Sequence, residues 1–182
     1  LDDNQALYTT IFSKALDYSE RLIIDPFIRK SIQTALSKTL KNVKEGKLSP
    51  AISPILVAKS LSENYFSCEK VKKYKLELAL DLSVICAYFH TSADLADDVE
   101  DDDLNNDLIN EIGKSQAINI SNMLLFVAFE IISSLKINNK NKVRLFQLFS
   151  KKGKLMTKGQ YYDLYSTNKA VLNKDPFYIS EK

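Results

Sequence analysis

The chain has 182 residues, 45% of them hydrophobic and 26% charged, with a formal net charge of +2 at pH 7. That is enough apolar material for one substantial core, so a single domain over residues 1–182 is expected. Four Gly and four Pro are too few for a many-turned β architecture, and the even mixing of charge signs argues against a nucleic-acid surface.

Apolar residues recur mostly three and four apart, which makes the fold class all-α. The first helix is expected over Asn4–Ile24, with Leu7, Ile11, Leu16 and Leu22 inward. Pro26 ends it, and a second helix follows over Phe27–Val43, with Arg29, Lys30, Lys38 and Lys41 as its wet side. A turn at Gly46–Pro50 leads to a short helix that has Pro54 in its first turn and Ile55, Leu56, Val57 and Leu61 buried. Between Lys70 and Gly113 no Gly or Pro intervenes, so one long buried helix is expected through the apolar run Leu76–Phe89. Leu104–Gly113 is polar and Asn-rich and reads as a short mobile segment. Ser115–Leu135 and Lys140–Phe149 are further helices, Gly153 marks a break, and Leu155–Ser166 is helical despite Gly159. Asn168–Pro176 reads as a loop, and Pro176–Lys182 as the start of a helix that is cut off.

Cys68 and Cys86 are isolated thiols that suggest neither a disulfide framework nor a metal knuckle, which fits a reducing, cytoplasmic setting. No leader peptide and no apolar run of membrane-spanning length stands out. The chain begins at Leu1, so its native start is expected upstream.

Seven acidic side chains fall within the ten residues Asp94–Asp103, where the long helix ends. On a helix Asp94, Asp97, Asp98 and Asp101 are three and four apart and share a face, which Ala87, His90 and Thr91 continue. Carboxylates so placed repel one another unless a cation neutralises them. Oxygen ligands of this kind suit Mg²⁺, which takes one or two carboxylates and leaves other positions to water and phosphate oxygens. A diphosphate held through Mg²⁺ is one reading. A solvated acidic face is the other, and Asp102, Asp103, Asn105, Asn106 and Asp107 fit it. An EF-hand loop fits poorly, because no Gly stands at the sharp turn and no Glu closes the loop.

His90 is the only histidine and lies one turn before Asp94. It could ligate a metal, move a proton, or simply pack with a hydrogen bond. One histidine cannot supply the two Glu-x-x-His helices of a di-iron bundle. No Gly-x-Ser-x-Gly and no Gly-rich phosphate loop occurs. Gly159, Gln160 and Asp163 form a second polar cluster, either facing a ligand or lying at the surface around a packing glycine. Tyr161, Tyr162 and Tyr165 read as core and rim aromatics.

The run His90–Asp101, HTSADLADDVED, resembles the first aspartate-rich motif of the trans-isoprenyl diphosphate synthases, here Asp97, Asp98 and Asp101. Gly159–Leu164, GQYYDL, resembles the Gly-Gln-x-x-Asp helix of that family, and Lys182 falls where its Lys-Thr-Gly segment would begin. The helix Ala117–Ile132 is similar to the next family helix, with Asn122 where Asp is common. The resemblance implies an isoprenoid-synthase-type helical bundle, here lacking its C-terminal part and the second aspartate-rich motif. It also implies Mg²⁺ as cofactor, an allylic prenyl diphosphate as substrate and a homodimer.

Two departures stand out. Pro50, Ala51 and Ser53 replace the basic residues of the isopentenyl diphosphate site, and Asn105 and Asn106 lie where an arginine pair usually follows the motif. Both departures resemble the ComQ-type peptide prenyltransferases, whose acceptor carries no diphosphate. By this resemblance Asp97, Asp98 and Asp101 hold the metal, while Gln160, Asp163 and Lys182 help to place the diphosphate or the carbocation. Ser92 and Ala93 leave room for the prenyl chain, and Phe89 closes the pocket one turn deeper. Asp94 in that wall has no assigned role. A chain-elongating polyprenyl diphosphate synthase acting on isopentenyl diphosphate is an alternative, and so is a non-catalytic subunit of such a synthase.

Overall fold

The first corner of the chain is made by Asp25 and Pro26, between helix α1 (Asp2–Leu22) and helix α2 (Pro26–Lys44). The computed structural model describes residues 2–44, 50–65, 68–101 and 106–167. One Asp25 carboxylate oxygen accepts from the backbone N–H groups of Phe27 and Ile28, each at 2.9 Å. A cap of this kind satisfies donors that a helix start leaves without partners, and Pro26 at the first helical position gives up an N–H that has no use there. A 3-10 turn at Pro50–Ile52 leads into α3 (Ser53–Tyr65), followed by α4 (Glu69–Glu100), α5 (Asp107–Ile112), α6 (Lys114–Ser134) and α7 (Asn139–Thr167). Among the described residues there is no strand, so the class is all-α, as the apolar spacing requires.

Contacts divide the chain into two compact units, Leu1–Lys136 and Ile137–Lys182. In the first, α4 is the axis. It spans 32 residues, about 48 Å at 1.5 Å per residue, and α1, α2, α3, the 3-10 turn and α6 all pack on it, α6 most extensively. Val84, Ile85, Ala87 and Tyr88 of α4 are fully buried, as are Leu124, Ile131 and Ile132 of α6. Each such aliphatic side chain contributes about 1.5–3 kcal/mol through burial. From the second helix Ile32, Leu36 and Leu40 complete the same core. The Tyr88 hydroxyl is not orphaned there, since it donates to the Ala15 carbonyl of α1 at 2.9 Å. Nearer the rim, Tyr18 donates to Asp81 at 2.9 Å and Lys14 pairs with the same carboxylate at 2.6 Å.

The structure corrects four expectations. Helix α6 is, by length and composition, apolar enough to cross a membrane, which the sequence reading did not anticipate. Its buried stripe, Ala117, Ile120, Leu124, Val127, Ala128 and Ile131, sits in the core with α4, which accounts for its apolarity without a membrane. In α3 only Ile55 of the four expected core residues is buried; Leu56, Val57 and Leu61 are 41%, 58% and 44% exposed. Successive helical residues turn by about 100°, so a helix packed by one face cannot bury all of them. The polar stretch expected to be mobile contains α5, with Leu108 and Ile109 buried. Lastly, α7 runs through Gly153 without a break; an interior glycine costs about 1 kcal/mol relative to alanine, which does not end a helix by itself. The turn expected at Gly46–Pro50 falls mostly outside the described residues, and so do the loop Asn168–Pro176, the helix start at Pro176 and Lys182.

Candidate functional site

An open cleft of about 510 Å³ lies in the first unit, walled by α2, the C-terminal half of α4 and the start of α5. Thr34, Ser37, Lys38 and Lys41 line it from α2, facing His90, Asp94, Asp97 and Asp98 of α4. The acidic face is therefore part of a concave site and not only a wet helix end.

Its carboxylates do different things. Asp94 accepts from the Thr39 hydroxyl at 3.3 Å and lies 2.9 Å from His90 Nδ1. The His90 nitrogen is shielded from solvent and meets no well-aligned acceptor, so the contact acts as an ion pair once the ring is protonated. Contact with Asp94 raises the His90 pKa above 6.5, while burial opposes the rise. This gives Asp94 the role that the sequence left open.

Asp98 is held from both sides. Lys38 Nζ stands 2.8 Å from Asp98 Oδ2, and Asn106 Nδ2 donates to the same oxygen at 2.6 Å. Asn106 is 1% exposed, and its side-chain oxygen accepts from the N–H groups of Leu108 and Ile109 at 3.1 and 3.2 Å. One asparagine thus caps α5 and ties it to α4. The Lys38–Asp98 pair is partly exposed, and such pairs contribute only about 0–1 kcal/mol.

Asp97 makes no ion pair among the described residues. Burial comes first in raising its pKa above 3.8, followed by the charges of Asp101, Asp98, Glu100 and Asp94. Asp101 is exposed and closes α4, its N–H donating to the Asp97 carbonyl at 2.8 Å. Among the described residues no three metal-ligating side chains converge on one point. The donor set fits Mg²⁺ all the same, since that ion needs only one or two carboxylates when water and phosphate complete its shell. Asp97 and Asp98 both line the cleft, so such an ion would find its carboxylates there.

The expected prenyl-chain residues take another direction. Ser92, Ala93 and Phe89 do not line this cleft. Ser92 is buried against α6, where the Ser121 hydroxyl donates to the Ser92 carbonyl at 2.8 Å. Gln160 and Asp163 share a face of α7 in the second unit, Gln160 half-buried and Asp163 exposed. A side chain added at Gly159 would meet nothing within 4 Å among the described residues. Lys182 lies outside the described residues.

Sequence reasoning missed Lys38, Lys41, Thr39 and Asn106 as site residues. Lys38 and Lys41 looked like a solvated helix face and Thr39 carried no signal, and only the packing of α2 on α4 turns them toward the acids. For Asn106 a signal was available: Asn-Asp-Leu-Ile is an N-cap followed by an acidic first turn and apolar residues.

The profile of the polyprenyl synthetase family matches residues 30–180. No curated protein and no solved structure matches the chain.

Proposed function

Because the chain belongs to the polyprenyl synthetase family, in which prenyl transfer is the general activity, we propose that it is a Mg²⁺-dependent prenyltransferase. Its substrate on this reading is an allylic prenyl diphosphate, and the prenyl group passes to an acceptor other than isopentenyl diphosphate, such as a peptide. The observation that carries the proposal is that Asp94, Asp97 and Asp98, near the end of the buried helix α4, line a cleft large enough for a diphosphate, with Asp101 just beyond its lining at the helix end. Asp97 and Asp101 would hold Mg²⁺, with Asp98 in support. Bound there, the ion neutralises charge developing on the leaving diphosphate.

The remaining chemistry belongs to the chain and its substrates. The allylic C–O bond breaks, its electron pair leaves with the diphosphate, and the acceptor's π electrons form the new bond to carbon. The acceptor's lost proton leaves with the diphosphate. Apolar residues of α4 and α6 keep water from the cation. Gln160, Asp163 and Lys182 would assist with the diphosphate, and Ser92, Ala93 and Phe89 would border the prenyl chain. For the acceptor, the 3-10 turn supports the choice: Ala51 and Ile52 are buried there, and Pro50–Ser53 offers no cation to a second diphosphate. We also read residues 1–182 as one isoprenoid synthase domain, cytoplasmic and homodimeric.

Calorimetric titration with a non-hydrolysable farnesyl diphosphate analogue, with and without Mg²⁺, and then with isopentenyl diphosphate, tests this. Mg²⁺-dependent binding of the analogue alone supports transfer to a different acceptor. Binding of both identifies a chain-elongating synthase, and binding of neither a non-catalytic subunit. Asp101→Ala should abolish turnover with helix content unchanged; full activity would sink the assignment.

A further inference from the structure

The cation-bearing wall opposite Asp97 plays no part in the mechanism above. Thr34, Ser37, Lys38 and Lys41 are three and four residues apart on α2 and line the cleft as one stripe. The buried side chains Ile32, Leu36 and Leu40 fix the rotation of that helix. Lys38 already reaches Asp98 across the cleft, at 2.8 Å, so the stripe is within one side chain's length of the acidic wall. Lys41 makes no ion pair among the described residues. Thr91 adds an independent sign of a ligand: it lines the same cleft, is 1% exposed, and its hydroxyl has no hydrogen-bond partner among the described residues.

The charge balance narrows the ligand. Two lysines face the cleft together with four carboxylates, those of Asp94, Asp97, Asp98 and Asp107, so it is net negative with His90 neutral. A bare anion is repelled, and a bare cation leaves the lysines unanswered. An anion that brings its own divalent cation satisfies both walls. We propose that Thr34, Ser37, Lys38 and Lys41 form a diphosphate-binding wall, working across the cleft from the cation-holding carboxylates of α4. This rests on the functional reading above and adds α2 to its binding machinery. Lys38 would exchange Asp98 for a phosphate oxygen, and the released Asp98 charge would strengthen the hold on the cation. Cation and diphosphate should therefore bind cooperatively.

The test is calorimetry on the whole chain with Mg²⁺ alone, inorganic diphosphate alone, and both together. Three proteins are compared: the parent, Lys38→Met/Lys41→Met, which keeps most of the apolar stems, and Lys38→Arg/Lys41→Arg. The parent should bind diphosphate only with Mg²⁺. The methionine variant should lose about tenfold in Mg²⁺–diphosphate affinity per lysine, as expected for hydrogen bonds to charged groups. It should bind Mg²⁺ alone as well as the parent or better, because two positive charges are gone, and the arginine variant should stay near the parent. Repeating the titrations with farnesyl thiodiphosphate and with isopentenyl diphosphate shows which ester the wall serves. Equal weakening for Mg²⁺ alone, or unchanged diphosphate affinity, overturns the wall but leaves the prenyltransferase reading. A parent that binds no Mg²⁺–diphosphate at all overturns both. If the double methionine variant loses its helical circular dichroism, Lys41→Met alone carries the same comparison.

Discussion

Asp97→Asn separates what the fold prefers from what the site needs. Asp94 lies three residues before Asp97 on α4, and Glu100 and Asp101 lie three and four after it. Like charges at these spacings each destabilise a helix by about 0.2–0.5 kcal/mol, so three of them amount to about 1 kcal/mol. The raised Asp97 carboxyl reports the same effect, with burial as its first cause and the neighbouring acids after it. A raised acid pKa means that the folded chain binds this proton more readily than the unfolded chain. The penalty is thus absent below the unfolded value of 3.8, grows as pH rises, and is complete above the folded value. Without Mg²⁺ at neutral pH, Asp97→Asn should melt about 2–4 °C above the parent, and the gap should close toward pH 3. Mg²⁺ should raise the melting temperature of the parent and leave the variant almost unmoved, while prenyl transfer is lost. Thermal unfolding by circular dichroism across pH, with and without Mg²⁺, measures all of this. A variant that melts lower without the cation at neutral pH would refute the claim that these carboxylates are held together against their repulsion.

Other consequences can be read on the same samples. Asn106→Ala removes the α5 cap and a partner of Asp98, so it should cost about 1–2 kcal/mol in denaturant unfolding; a cost near zero would mean that α5 is held by packing alone. Tyr88→Phe deletes a buried hydrogen bond to Ala15 and should cost about 1 kcal/mol, with no loss expected only if the hydroxyl is not needed there. Burial pushes the Cys86 thiol up to about 11, so at pH 8 a thiol reagent should modify exposed Cys68 promptly and half-buried Cys86 far more slowly; equal rates would contradict the packing of α4. The His90–Asp94 pair contributes stability that is complete below 6.5 and is lost as pH rises through the raised folded value. In Asp94→Asn the NMR titration midpoint of His90 should fall, and an unmoved midpoint would exclude the pairing.

The sequence by itself determined the helical class and the placing of the acids. Scarce Gly and Pro, apolar spacing of three and four, and the uninterrupted run from Lys70 produce α4, and the helical repeat alone puts Asp94, Asp97, Asp98 and Asp101 near one another. Those are local properties, set within a turn or two of helix, and they survive any packing. What faces those acids was not legible, because it depends on how separate helices rotate against one another. Lys38 is an exposed lysine on an amphipathic helix until α2 docks its Ile32, Leu36 and Leu40 stripe and turns it onto Asp98. Nor does the sequence reveal that Ser92 meets Ser121, whose hydroxyl donates to the Ser92 carbonyl where α6 packs closely on α4. Asn106 looked like part of a wet acidic tail, yet burial makes it the tie between α4 and α5. A helix carries its own register in its sequence, but only the neighbour that buries one of its faces decides what the opposite wall of a cleft will be.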